Sequence, residues 1–123
     1  MTKILVYADD RTVRRDVRLA LGSRLPGLSE TIDIVETATQ AAALKHLDAG
    51  GIDLAVFDAE ATPSGGMGLA RQIKDELPDC PPVLLLVERP DDAWLAAWSG
   101  AEAIQPRPVD PVELPRAAAA LLA

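Results

Sequence analysis

The sequence predicts an α/β fold: a three-layer, doubly wound sheet of five parallel strands with helices on both faces. Three observations lead there. Short apolar runs alternate strictly with longer segments whose apolar residues recur every three or four positions, the periodicities of buried strand and amphipathic helix. About five segments of each kind are present. The alternation runs from one end of the chain to the other with no internal repeat, low-complexity tract or linker, so βαβ units with covered sheet faces follow.

The elements follow in order. Ile4–Ala8, "ILVYA", reads as a buried strand. "TVRRDVRLALGSRL" places Val13, Val17, Leu21 and Leu25 on one helical face, with Thr12 as the expected N-cap. "TIDIVETA" alternates apolar and polar and reads as a half-exposed strand. "TQAAALKHLDAGG" is a helix stopped by Gly50 and Gly51. "DLAVFD" is a buried strand ending in a carboxylate, Asp58. "GGMGLARQIKDELP" carries Leu69, Ile73 and Leu77 on one side and ends at Pro78. "PVLLLVE" is the most apolar strand. "DDAWLAAWSG" is a short helix entered at Asp91 or Asp92, and "EAIQP" a short strand. "DPVELPRAAAALLA" is the closing helix, with Pro111 in its first turn, where a missing N–H costs little, and Pro115 also within the first turns, placed to distort them.

Composition narrows function. The 123 residues suit one domain with a single core, 1–123, and leave no room for an output domain. A net charge of -7 and a pI near 4.6 argue against nucleic acid or anionic lipid as the main partner. The one cysteine, Cys80, has no internal partner; "MTKILVYADD" is no signal peptide, so a cytoplasmic protein is expected. No apolar run approaches the length of a membrane span.

In an open parallel sheet, ligands bind beyond the carboxyl ends of the strands. Those ends read Ala8–Asp9–Asp10, Asp58, Val87–Glu88 and Gln105–Pro106–Arg107–Pro108. Acids from the first and third strands should therefore converge, with an arginine from the fifth nearby. Clustered carboxylates invite a cation, and magnesium is the hard, oxygen-seeking choice. Zinc spacing, a glycine-rich phosphate loop and a Ser–His–Asp set are missing. His46, between Lys45 and Leu47, reads as a surface residue. Asp58 itself has two readings, a strand-end cap and a reactive group.

These features resemble the response-regulator receiver (CheY-like) family over the whole chain, and "YADDRTVR" with "DAEATPSGGMG" looks most like small, atypical, stand-alone receivers of actinobacteria. The resemblance implies strand order 2-1-3-4-5 and a phosphoryl group accepted on Asp58. It places Gly66 at the family's loop glycine and displaces the loop proline by one, to Pro63. It implies magnesium held by Asp9, Asp10 and Asp58 with the main chain of Glu60. Phosphoryl transfer spreads charge over three oxygens, which a metal and a fixed cation must hold.

The sequence departs from the family at four places. Ala8 stands at the first acidic position, leaving Asp9 at the second and Asp10 at an extra one. Val87 replaces the Ser or Thr hydroxyl and donates no hydrogen bond. Arg107 replaces the lysine, a planar fork in place of a point charge; it could pair with Asp58 in bidentate fashion and leave magnesium weak or absent. Ile104 replaces the switching aromatic. Pro108 matches a proline whose peptide bond is cis in the family. A degenerate receiver acting through protein contacts, not an enzyme, is the favoured expectation, and a phosphorylatable magnesium-dependent switch the alternative. A flavodoxin-like cofactor enzyme rates low, because "ADDRTVR" would repel a phosphate. A structural subunit of a larger complex is the remaining option.

Trp94 and Trp98 lie four apart on one helical face. Matched to the family, Trp94 takes a packed position and Trp98 an exposed one, a common place for an interface anchor. The partner, a kinase or complex subunit, is expected on that side, as is any homodimer through the fourth helix, fifth strand and fifth helix. No DNA binding is expected.

Overall fold

The computed structural model describes residues 1–62, 64–89 and 93–123. Among the described residues ten elements alternate: β1 (Thr2–Tyr7), α1 (Arg11–Leu21), β2 (Ile32–Thr37), α2 (Gln40–Ala49), β3 (Leu54–Asp58), α3 (Gly66–Glu76), β4 (Val83–Val87), α4 (Ala93–Ser99), β5 (Ala103–Pro106) and α5 (Glu113–Leu122). Every strand pairing is parallel, in the order β2-β1-β3-β4-β5. This is the fold class and strand order expected from the sequence.

The apolar runs fill the middle of the sheet because both of their faces are covered. β3 and β4 are buried at every residue, whereas β2 and β5, at the edges, alternate or are only partly buried. On one face Leu5, Tyr7, Ala55, Phe57, Val83, Leu85 and Val87 meet Ala43 and Leu47 of α2 and Leu69, Ala70 and Ile73 of α3. On the other, Ile4, Val6, Leu54, Val56, Leu84 and Leu86 meet Val13, Val17 and Leu21 of α1 and Leu114 and Ala118 of α5. Burying one such aliphatic side chain contributes about 1.5–3 kcal/mol. Tyr7 and Phe57 pack edge to face, ring centroids 6.0 Å apart.

Helix ends correct two expectations. The N-cap of α1 is Asp10, not Thr12: Asp10 Oδ1 accepts from the Thr12 N–H at 2.8 Å. Both residues are good caps, and the earlier one wins because the Asp10 carbonyl already takes the Arg14 N–H. Pro111 lies before α5 rather than in its first turn. Asp110 closes that approach, with Oδ1 accepting from Val112 and Glu113 and its carbonyl accepting from Leu114. Pro115 does sit in the first turn of α5, buried, where no intrahelical bond is lost. α2 is capped by Thr39 and stopped at Gly50, with φ of 82°. The expected entry of α4 at Asp91 or Asp92 lies outside the described residues.

Gly66 positions the site. A Cβ there would lie 2.6 Å from the carbonyl oxygen of Asp58 and 2.9 Å from the Phe57 Cβ, so only glycine lets α3 start against the end of β3.

Candidate functional site

Three strand tips build the site. Asp58 ends β3, between Leu86 of β4 and the tip of β1. Its side chain is 2% exposed. Oδ1 accepts the Glu60 N–H at 3.0 Å, so the chain turns back over the carboxylate. The same oxygen lies 3.4 Å from Arg107 Nη1. Arg107 is held in place by its own N–H, which donates to the Val87 carbonyl at 2.8 Å. The contact is a single one rather than the bidentate fork expected. The following peptide bond, Arg107–Pro108, is cis.

Burial pushes the Asp58 carboxyl above the usual carboxylate range. The Glu60 N–H and the Arg107 charge pull it back, while the charges of Asp9 and Asp10 push it further up. The charges of Asp9 and Asp10 thus oppose ionisation of Asp58.

Asp9 and Asp10 point to different tasks. Thr62 Oγ1 donates to Asp9 Oδ2 at 2.9 Å, and this bond holds the Asp9 carboxyl below its usual value. Asp10 is spent on the cap of α1. Ala8 is fully buried and brings no charge; its carbonyl accepts from Arg14 Nη1 at 2.6 Å. Arg14 also faces Glu36 at 3.6 Å, on the β2 side.

Magnesium is the ion that the resemblance implies. The donors do not fit it as they stand. Asp58 Oδ1 is shared between Arg107 and Glu60, Asp10 caps a helix, and Asp9 is bound to Thr62. Among the described residues, no group of three or more Asp, Glu, His or Cys side chains converges to hold a metal ion. Glu60 contributes its N–H to Asp58, and its side chain is exposed.

Val87 is buried in the core at the last position of β4, and Ile104 is 37% exposed on β5. His46 is exposed, as expected. Pro63 lies outside the described residues. Two contacts of described residues escaped sequence reasoning: Thr62 on Asp9, and the Tyr7 hydroxyl, which donates to the Ser64 carbonyl at 2.5 Å. Nothing in the sequence singled out either residue, because both bonds span more than fifty positions.

α4 carries the other feature. Trp94 is 71% and Trp98 54% exposed, so the packed position expected for Trp94 is corrected. Ser99 is fully buried and marks the inward direction of the helix. At about 100° per residue, Trp98 points about 100° and Trp94 about 140° away from it. Arg71 of α3 lies 5.6 Å over the Trp98 ring and donates to its carbonyl at 3.3 Å. The aromatic stripe is thus flanked by α3. No described helix is long and apolar enough to cross a membrane.

Comparison with known proteins agrees with the fold. No family model matches the chain. Two Mycobacterium tuberculosis proteins, from strains CDC 1551 and H37Rv, each named an uncharacterized response regulatory protein, are 53% identical over 120 residues, 98% of this chain and 90% of theirs. The chemotaxis response regulator CheY4 of Vibrio cholerae superposes with a TM-score of 0.83 at 18% identity, covering 99% of each chain. A Francisella response-regulator receiver domain gives 0.82 at 19% identity, covering 99% of this chain and 97% of its own. At such identities these two structures speak for the fold alone.

Proposed function

This chain belongs to the response-regulator receiver family, and we propose that it works as a degenerate receiver of a two-component or phosphorelay system, signalling through protein contacts. Asp58 holds the phosphoacceptor position, and Arg107 neutralises it. The observation that carries this reading is the ion pair between the buried Asp58 carboxylate and Arg107 Nη1 at 3.4 Å. In this proposal Arg107 is engaged by the carboxylate instead of standing free for the phosphoryl oxygens that a fixed cation must hold.

The switch positions support the same reading. A receiver reports phosphorylation by moving a hydroxyl and an aromatic side chain. Val87 has no hydroxyl to follow a phosphoryl group, and Ile104 has no ring to swing, so a change at Asp58 has no such route to the far face. Output then rests on a standing surface. Trp94 and Trp98 on α4, with Ile104 on β5 and the exposed Val112 before α5, form the contact surface in this proposal. A protein partner in the cytoplasm or a second copy of the chain would dock there; a net charge of -7 disfavours DNA.

The second reading, a phosphorylatable magnesium-dependent switch, is favoured by one observation: Asp58, Asp9 and a cation are all retained at the strand tips. Incubating wild type and Asp58→Asn with a small acyl phosphate and magnesium, then weighing both intact, separates the two. The degenerate reading expects no phosphoryl mass on either protein. Mass gained by wild type and not by Asp58→Asn would overturn it.

A further inference from the structure

We infer that the acidic hollow of this chain has exchanged its divalent ion for the guanidinium of Arg107, and so neither needs nor takes up magnesium. The inference rests on the receiver reading for the positions it compares, and it deepens that reading by assigning the source of positive charge at Asp58.

Four observations combine. First, Asp58 Oδ1 already carries Arg107 Nη1 and the Glu60 N–H. A metal taking that oxygen must expel the arginine or sit beside it, and two cations sharing one oxygen repel at short range. Second, Asp10 cannot swing toward an ion without uncapping α1, because its Oδ1 takes the Thr12 N–H. Third, Asp9 Oδ2 is the acceptor for Thr62, so its second task competes with an ion. Fourth, Ala8, fully buried at the tip of β1, puts a methyl group where a further oxygen donor would have to be. Magnesium demands a near-octahedral shell and is held by one or two carboxylates besides its waters; here one oxygen of each of the three carboxylates, Asp58 Oδ1, Asp9 Oδ2 and Asp10 Oδ1, already takes a protein donor.

Arg107 suits the exchange. Its backbone N–H is fixed to Val87, and the side chain is only a quarter exposed. The charge of Asp58 is therefore countered from within, irrespective of the metal supply.

The test uses Mn2+ alone, read as paramagnetic broadening of the backbone amide signals of residues 9, 58 and 60. Wild type is expected to show no saturable broadening at these residues up to tens of millimolar. Ala8→Asp combined with Arg107→Lys is expected to bind saturably, with affinity raised about 10- to 100-fold, the usual scale for changes around a metal site. Arg107→Lys alone serves if the buried Ala8→Asp prevents folding, and should give an intermediate gain. Saturable wild-type binding as tight as that of the variants would overturn the inference. So would variants that bind no better than wild type, since Arg107 would then not be what excludes the ion. Labelling by an acyl phosphate in the presence of a chelator would sink the degenerate reading and leave this one standing. Tight Mn2+ binding without labelling would do the reverse.

Discussion

The hydroxyl of Thr62 donates a 2.9 Å hydrogen bond to Oδ2 of Asp9, fastening the loop after β3 to the tip of β1. That bond is the main reason the Asp9 carboxyl stays below its usual value. A carboxyl with a depressed pKa adds stability above its unfolded pKa and loses it as pH falls through the folded one. Thr62→Val should therefore raise the Asp9 pKa toward the usual carboxylate value of about 3.9, and weaken the acid dependence of stability that Asp9 supplies. Carboxyl-detected NMR titration of both proteins checks it.

Asp58 carries the opposite sign. Its pKa is raised by burial, so the neutral form is the one the fold prefers. Its contribution is fully present below the unfolded pKa and is lost as pH rises through the folded value. Asp58→Asn should therefore melt at a higher temperature than wild type at neutral pH. The gap should close as pH falls into the ordinary carboxylate range. Thermal unfolding of the pair across pH 3 to 8, roughly the span over which carboxylates titrate in proteins, measures both the sign and the window.

Asp10 is a structural cap in this account. Asp10→Ala should cost about 1 kcal/mol, the usual loss of a helix N-cap, while Asp10→Ser should cost much less. Both are measured by denaturant unfolding without any metal present. A residue kept only as a metal ligand would show no such difference under those conditions.

The exposed tryptophans give a spectroscopic test. With Trp94 and Trp98 both largely in water, the isolated chain should emit at long wavelength and be quenched freely by acrylamide, and the same should hold for Trp94→Phe. A protein partner or second copy that docks on α4 should shift the emission to the blue and slow the quenching.

Much of the fold was legible because burial on both faces leaves an unmistakable pattern. "LAVFD" and "VLLLV" are apolar without alternation, as central parallel strands must be, and "IDIVET" alternates as an edge strand does. The strand tips that build the site followed from that pattern, with Asp58 and Arg107 meeting as their positions implied. What escaped were contacts set by tertiary placement. Asp10 and Thr12 are both able caps, and backbone direction after β1 chose between them. Trp94 turned outward because a seven-residue helix has few inward positions and Ser99 takes one. The Tyr7–Ser64 and Thr62–Asp9 bonds join residues far apart in the chain, where no local periodicity reports a contact.

The central claim is that Arg107 supplies the positive charge that the Asp58 carboxylate needs. The most direct measurement is the Asp58 pKa in wild type and in Arg107→Ala, followed through the side-chain carboxyl carbon by NMR without divalent ions. Removing the guanidinium should push the pKa further up, since burial would then act with less opposition. An Asp58 pKa that does not move, or that falls, would contradict the account.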